Sequence, residues 1–127
     1  MAAESKMMFV SIDYRLGPEH PWPAQLEDCL VAVQWVRQVH AKTVRVFLVG
    51  TSAGAQLALS VAASLSETSC RVAGVVALAP FTIRREDAVK YMGQEPISHQ
   101  ENEDAPILTM DILDMFLGTL RVYCGMR

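Results

Sequence analysis

Leu26, Leu30, Val33 and Val36 recur at spacings of three and four, while Gln25, Asp28, Gln34 and Arg37 fall on other faces. That period predicts a helix starting near Pro23 or Ala24 and ending around His40. Glu27 and Asp28 lie in its first turn, where the helix dipole favours anions. Leu57, Val61 and Leu65 line one face of a second helix, expected over residues 53–65. Residues 7–14, MMFVSIDY, are rich in β-branched and aromatic side chains and predict a strand. Residues 44–49 are apolar almost throughout, as are residues 72–78, VAGVVAL, which Pro80 stops. Such runs suit parallel strands covered on both faces. Between the first strand and the first helix, prolines at 18, 21 and 23 fix their own φ and bias their predecessors to extended geometry. The segment RLGPEHPWPAQ is therefore read as a stiff, non-helical connector. The order strand, helix, strand, helix, strand, with short links, predicts an α/β chain with a parallel sheet and right-handed crossovers. After Pro80 the chain turns polar and irregular, with at most short helical pieces. Residues 109–120, TMDILDMFLGTL, predict one more amphipathic helix, in an insertion rather than a sheet repeat.

Composition narrows the functional classes. With 127 residues the chain has room for one domain, and 51% hydrophobic against 20% charged residues marks it as globular. The net charge is −3 and the only basic pair is Arg84-Arg85, so nucleic-acid binding has no electrostatic footprint. The longest apolar run, residues 72–81, is too short to span a bilayer. The N-terminus lacks the basic-then-apolar pattern of a signal peptide. Cys29, Cys70 and Cys124 are odd in number and far apart, which gives neither a metal-ligand pair nor a disulfide framework. The expected setting is reducing and cytoplasmic, and the chemistry calls for no cofactor and no metal.

The strongest chemical signal is Gly50-Thr51-Ser52-Ala53-Gly54, placed between an apolar strand and an apolar-faced helix. In a G-x-S-x-G turn the serine sits on a strained strand-to-helix bend. Glycines two residues to either side remove Cβ atoms that would clash there, and the serine Oγ is lifted clear of the sheet. The next N–H, here that of Ala53, opens a helix whose N-terminal dipole favours developing negative charge. The bare motif arises by chance in about 4% of chains this long, so the strand and helix around it carry most of the weight. The alternative is a tight strand–helix turn with no catalysis.

Partners for the serine are weaker. His20 is held among prolines, and His40 sits at a helix C-terminus, where an imidazole suits the dipole. His99 lies in the polar insertion, where a solvated loop histidine is the simpler reading. Asp87, Asp104, Asp111 and Asp114 are available acids without a pattern that selects among them. Trp22 and Trp35 read as packing residues. Phe81, Tyr91, Met92, Met110, Met115 and Phe116 read as core, or as the lining of an apolar acyl pocket.

Two motifs at their separation carry a family resemblance. The segment Y-R-L-x-P-E-H-x-x-P over residues 14–23 and the G-x-S-A-G turn over residues 50–54 together resemble the hormone-sensitive-lipase-like branch of the α/β-hydrolase fold. That branch includes bacterial esterases, arylacetamide deacetylases and many fungal esterases or lipases. The match runs over residues 9–80, and residues 101–116 are similar to the lid of fungal members. The resemblance implies a serine hydrolase of the carboxylesterase or lipase type acting on small apolar esters. Ser52 would be the nucleophile, Ala53 a backbone oxyanion donor, and Gly50 and Gly54 the glycines of the nucleophile elbow. An acyl-enzyme on Ser52 would form and then be hydrolysed.

The departures are as informative. Thr51 stands where the family usually has Asp, and Ala55 where it commonly has Gly. The family's H-G-G-G oxyanion segment precedes the first strand seen here, and its catalytic Asp and His lie well downstream. The resemblance therefore implies an incomplete α/β-hydrolase domain over residues 1–127, with a core portion at 7–80 and a lid-like insertion at 81–122. Alone it should be inactive. The alternatives are a small-molecule binding module that has lost catalysis, as in a plant hormone receptor of the same family, and a non-functional remnant. In the family sheet a further strand separates those matching residues 9–14 and 44–49, so both would present open apolar edges here, and marginal stability is expected.

Overall fold

The structure is a computed structural model, and it describes residues 5–40, 44–81, 85–94, 101, 103–107, 109 and 111–112. Its elements are α1 (Ala24–Val39), β1 (Phe47–Thr51), α2 (Ala53–Leu65), β2 (Gly74–Leu78) and α3 (Arg85–Met92). β1 and β2 form a two-stranded parallel sheet in the register Phe47↔Gly74 through Thr51↔Leu78. α2 links the two strands and packs on both, and α1 packs on α2. This is part of an α/β architecture with parallel strands, as the alternation of apolar runs predicts.

Both long helices form where the period places them. Pro23 precedes α1, and its carbonyl accepts the Glu27 N–H at 3.0 Å, so the missing proline N–H costs nothing at that position. Cys29 and Val33 are the buried centre of α1's inner face, with Leu26 and Leu30 half-buried beside them. They meet Leu57, Val61 and Leu65 of α2, successive residues of one stripe. Ile12, Tyr14, Trp22, Leu48, Cys70 and Val72 close the edges of this core. Trp22 thus packs as expected. Trp35 is instead 49% exposed and meets His40 edge-on, with ring centroids 6.2 Å apart.

The strands begin later than the apolar runs. Residues 44–46 and 72–73 approach the ladder without belonging to it, although the Ala73 N–H already donates to the Val46 carbonyl at 2.7 Å. Arg37 governs that approach. Its Nη1 donates to the Val44 carbonyl at 2.7 Å and its Nη2 to the Arg71 carbonyl at 2.6 Å. One guanidinium therefore ties the end of α1 to the chain entering each strand.

Residues 7–14 correct the sequence reading. They form no strand, because no described neighbour offers them a ladder. Ile12 and Tyr14 still pack against the core, while Met7, Met8, Phe9 and Val10 stay exposed. Their strand propensity has no hydrogen-bonding partner to act on. Past Pro80 the expected short helical piece is α3. Its C-terminus is closed by Gly93 at φ 73°, whose N–H donates to the Val89 carbonyl at 2.9 Å. Most of the helix expected over residues 109–120 lies outside the described residues.

Candidate active site

The apolar residues of β1 bring the chain to Gly50 and Thr51, and those of α2 carry it away from Ala53. Ser52 makes the turn between them, at φ 53° and ψ −119°. A non-glycine residue there costs about 1–3 kcal/mol and persists only where its surroundings hold it. Two sets of contacts do so. The Ser52 N–H donates to the Leu78 carbonyl at 2.9 Å, extending the β1–β2 ladder past its last residue pair. The Ser52 carbonyl accepts the N–H groups of Ala55 at 3.0 Å and Gln56 at 3.1 Å, closing the first turn of α2.

Gly50 is required by this geometry. A Cβ there would stand inside contact distance of the Gly54 carbonyl, and 2.6 Å from the Ala55 nitrogen. Gly54 differs from expectation. A Cβ on it would meet nothing within 4 Å, so close approach explains the first glycine and not the second. Ala55, where the family commonly has glycine, is fully buried.

The Ser52 side chain is exposed and makes no capping hydrogen bond to α2. The Ala53 and Gly54 N–H groups belong to the first helical turn, which has no intrahelical acceptors to offer them. A hydroxyl and two N–H donors at a positive helix end are thus adjacent. Their chemical competence is to attack an electrophilic carbon and to stabilise the oxyanion that results.

The histidines do not join this group. His20 lies in the proline-rich turn. Its N–H donates to the Leu16 carbonyl at 3.0 Å, and its carbonyl accepts Gln25 Nε2 at 2.7 Å. His40 ends α1 against Trp35. Among the described residues no imidazole bonds the Ser52 hydroxyl. His99 and Asp114 lie outside the described residues, as do Met110, Met115 and Phe116, while Asp104, Asp111, Tyr91 and Met92 are exposed and Phe81 is half-buried. No described group of three His, Cys, Asp or Glu side chains is arranged to hold a metal ion.

Periodicity alone missed the Arg15–Asp28 pair. Arg15 Nη2 donates to Asp28 Oδ1 at 2.7 Å, Nε to Oδ2 at 2.9 Å, and the Arg15 backbone N–H to Oδ2 at 3.0 Å. Arg15 Nη2 also lies 3.5 Å from Glu27 Oε2 and reaches the Ala24 carbonyl at 3.3 Å. These donors pull the Asp28 carboxyl down to about 2, and Arg15 is raised in return, first through its bonds to Asp28. Asp28 therefore fastens the connector, and Glu27 is the acidic residue in the first turn of α1. A signal was present, since Asp28 falls off the apolar face while Arg15 follows Tyr14 at the start of the connector. Beside this pair an open groove of about 400 Å³ is lined by Asp13, Tyr14, Leu16, Glu19 and His20 as well as Arg15. Ser52 is not part of it.

Comparison with known proteins identifies the family of the chain. A family model described as the alpha/beta hydrolase fold matches residues 1–125. The chain is 30% identical to versiconal hemiacetal acetate esterase of Aspergillus parasiticus over 118 residues, 91% of this chain and 37% of that one. It is 34% identical to carboxylesterase NlhH of Mycobacterium tuberculosis over 122 residues, 92% of this chain and 36% of the relative. It is 29% identical to probable carboxylesterase 6 of Arabidopsis thaliana over 124 residues, 87% and 34% respectively. The chain thus spans about a third of the length of these curated relatives. Among the described residues no helix is long and apolar enough to cross a membrane. With residues 1–125 matched and both sequence motifs in place, the chain belongs to the α/β-hydrolase fold family, on its hormone-sensitive-lipase-like branch.

Proposed function

We propose that this chain is the nucleophile-bearing section of a serine hydrolase that cleaves carboxylic esters with small apolar acyl groups. Ser52 Oγ attacks the ester carbonyl. The Ala53 N–H, at the positive end of α2, donates to the oxyanion of the tetrahedral intermediate. The alcohol leaves, and water then releases the acid from the Ser52 acyl-enzyme. The observation that carries this reading is Ser52 itself, exposed at φ 53° on the bend between β1 and α2. An exposed hydroxyl on a strained bend, beside the first N–H groups of a helix, suits attack on an ester carbonyl. The carboxylesterase relatives support the choice of an ester over other acyl substrates.

Hydrolysis of p-nitrophenyl acetate tests the reading, because the site of the base decides the outcome. Neither His20, in the proline-rich turn, nor His40, at the end of α1, bonds the Ser52 hydroxyl, so the 127-residue chain alone should hydrolyse no faster than its Ser52→Ala variant. Expressed with its flanking coding sequence, the protein should turn the ester over, and Ser52→Ala should lower kcat by about 10⁴-fold or more. Turnover by the short chain that Ser52→Ala abolishes would instead make His99 the base. Absence of turnover in every form, with saturable ester binding, would replace the hydrolase by a binding module.

A further inference from the structure

Among the described residues three non-glycines have positive φ, and two of them meet at the end of the sheet. Ser52 follows the last residue of β1, and Ala79, at φ 47°, follows the last residue of β2. They are joined through one peptide group. The Leu78 carbonyl that receives the Ser52 N–H at 2.9 Å belongs to the peptide between Leu78 and Ala79. The φ of Ala79 sets how the following chain leaves that peptide.

Sequence preference opposes this conformation twice. Alanine has a Cβ that disfavours left-handed φ. Pro80 also biases its predecessor to extended backbone at negative φ. An extended Ala79 would continue β2 straight on, alongside the turn that β1 makes at Ser52. The left-handed residue takes Pro80 and Phe81 off that line, and Ser52 stays exposed.

We infer that Ala79 is a positioning residue for Ser52, acting through its backbone. Its left-handed turn holds the Leu78 carbonyl on the Ser52 N–H and keeps the following chain clear of the Ser52 hydroxyl. The functional consequence rests on Ser52 being the nucleophile, whereas the geometry is measurable without turnover.

Amide hydrogen exchange on the ¹⁵N-labelled chain tests this, with Ser52 read against Val61 in the core of α2. Ala79→Gly and Ala79→Asn tolerate left-handed φ and should leave the Ser52 amide within about twofold of wild type. Ala79→Gly should unfold at the same temperature as wild type or higher, the reverse of glycine's usual effect. Ala79→Val, which resists positive φ, should speed exchange at Ser52 about tenfold more than at Val61. Equal changes at Ser52 and Val61 would mean a general loss of stability and overturn the inference. If the valine variant does not fold, the other two decide, and a tenfold change at Ser52 or a lower unfolding temperature in Ala79→Gly overturns it. Absence of turnover in the protein expressed with its flanking coding sequence, while this exchange pattern holds, would remove the hydrolase reading and leave the positioning role intact.

Discussion

The two faces of the sheet differ sharply in exposure. Leu48 and Gly50 turn toward α2 and are half-buried against it. On the other side the pairs Val49↔Val76 and Thr51↔Leu78 share one face, and Val49 is 64% and Leu78 55% exposed. Parallel strands of this composition ordinarily bury both faces. Here the helical side carries the packing, and among the described residues the other side stays largely exposed. Ser52 depends on that one-sided support, because its carbonyl is held by α2 and its N–H by β2, while the residues beneath are packed from the helix side alone. Geometry at the turn should therefore be sensitive to changes on the helical face and nearly indifferent to changes on the open one.

The sharpest way to break this comparison lies at the turn. Gly50→Ala forces a Cβ into the Gly54–Ala55 backbone, where no side-chain rotation can relieve it. We expect a loss of at least about 3 kcal/mol in urea unfolding. Gly54→Ala meets open space on a helix, and should be neutral or stabilising by up to about 1 kcal/mol. Equal losses at both glycines would show that the motif is held by something other than the close approach at Gly50.

A second pair tests the faces directly. Val61, 2% exposed, lies at the centre of the α1–α2 contact, whereas Val49 stands on the open face. Val61→Ala should cost about 2–3 kcal/mol through lost burial and the cavity left behind. Val49→Ala should change stability by less than about 0.5 kcal/mol. A large loss at Val49 in the same urea titration would mean that its face is covered in solution.

The same contrast explains how much could be read from sequence. α2 forms over the expected residues and α1 within one residue of them, because an apolar stripe at helical spacing needs only one surface to pack against. Strand signals depend on partners. Residues 7–14 carry strong β propensity and form no ladder, and the apolar approaches to β1 and β2 remain outside the sheet. At the bend, the place of Ser52 between strand and helix and the need for glycine at position 50 are legible from the motif, because a Cβ there would strike the Gly54–Ala55 backbone. The same clash argument predicts a requirement at Gly54, yet its surroundings are open. Ala79 was invisible, since an alanine before proline predicts the opposite φ. The sequence position of Asp28 near the start of α1 points to the helix dipole, and only the fold brings the Arg15 guanidinium to it.

That last pair yields the smallest expected effect, and it sharpens the comparison by adding a polar contact on the helical side. Arg15 and Asp28 fasten the connector to α1 with both guanidinium and backbone bonds, at a site open to water. Solvent screening keeps the contribution of such a pair modest. Its sign with pH follows from the depressed carboxyl. In the unfolded chain Asp28 titrates near the ordinary aspartate value of about 4, and in the folded chain near about 2. The stabilisation is fully present above the unfolded value, shrinks as pH falls between the two, and is lost below the folded one. Asp28→Asn removes the charge at every pH. Its urea midpoint should therefore fall below that of wild type at pH 5, by less than that of Val61→Ala, and the gap should narrow at pH 3 and close toward pH 2. A gap that stays constant with pH would mean that Asp28 supports the connector through packing or neutral hydrogen bonds, with its charge playing no part.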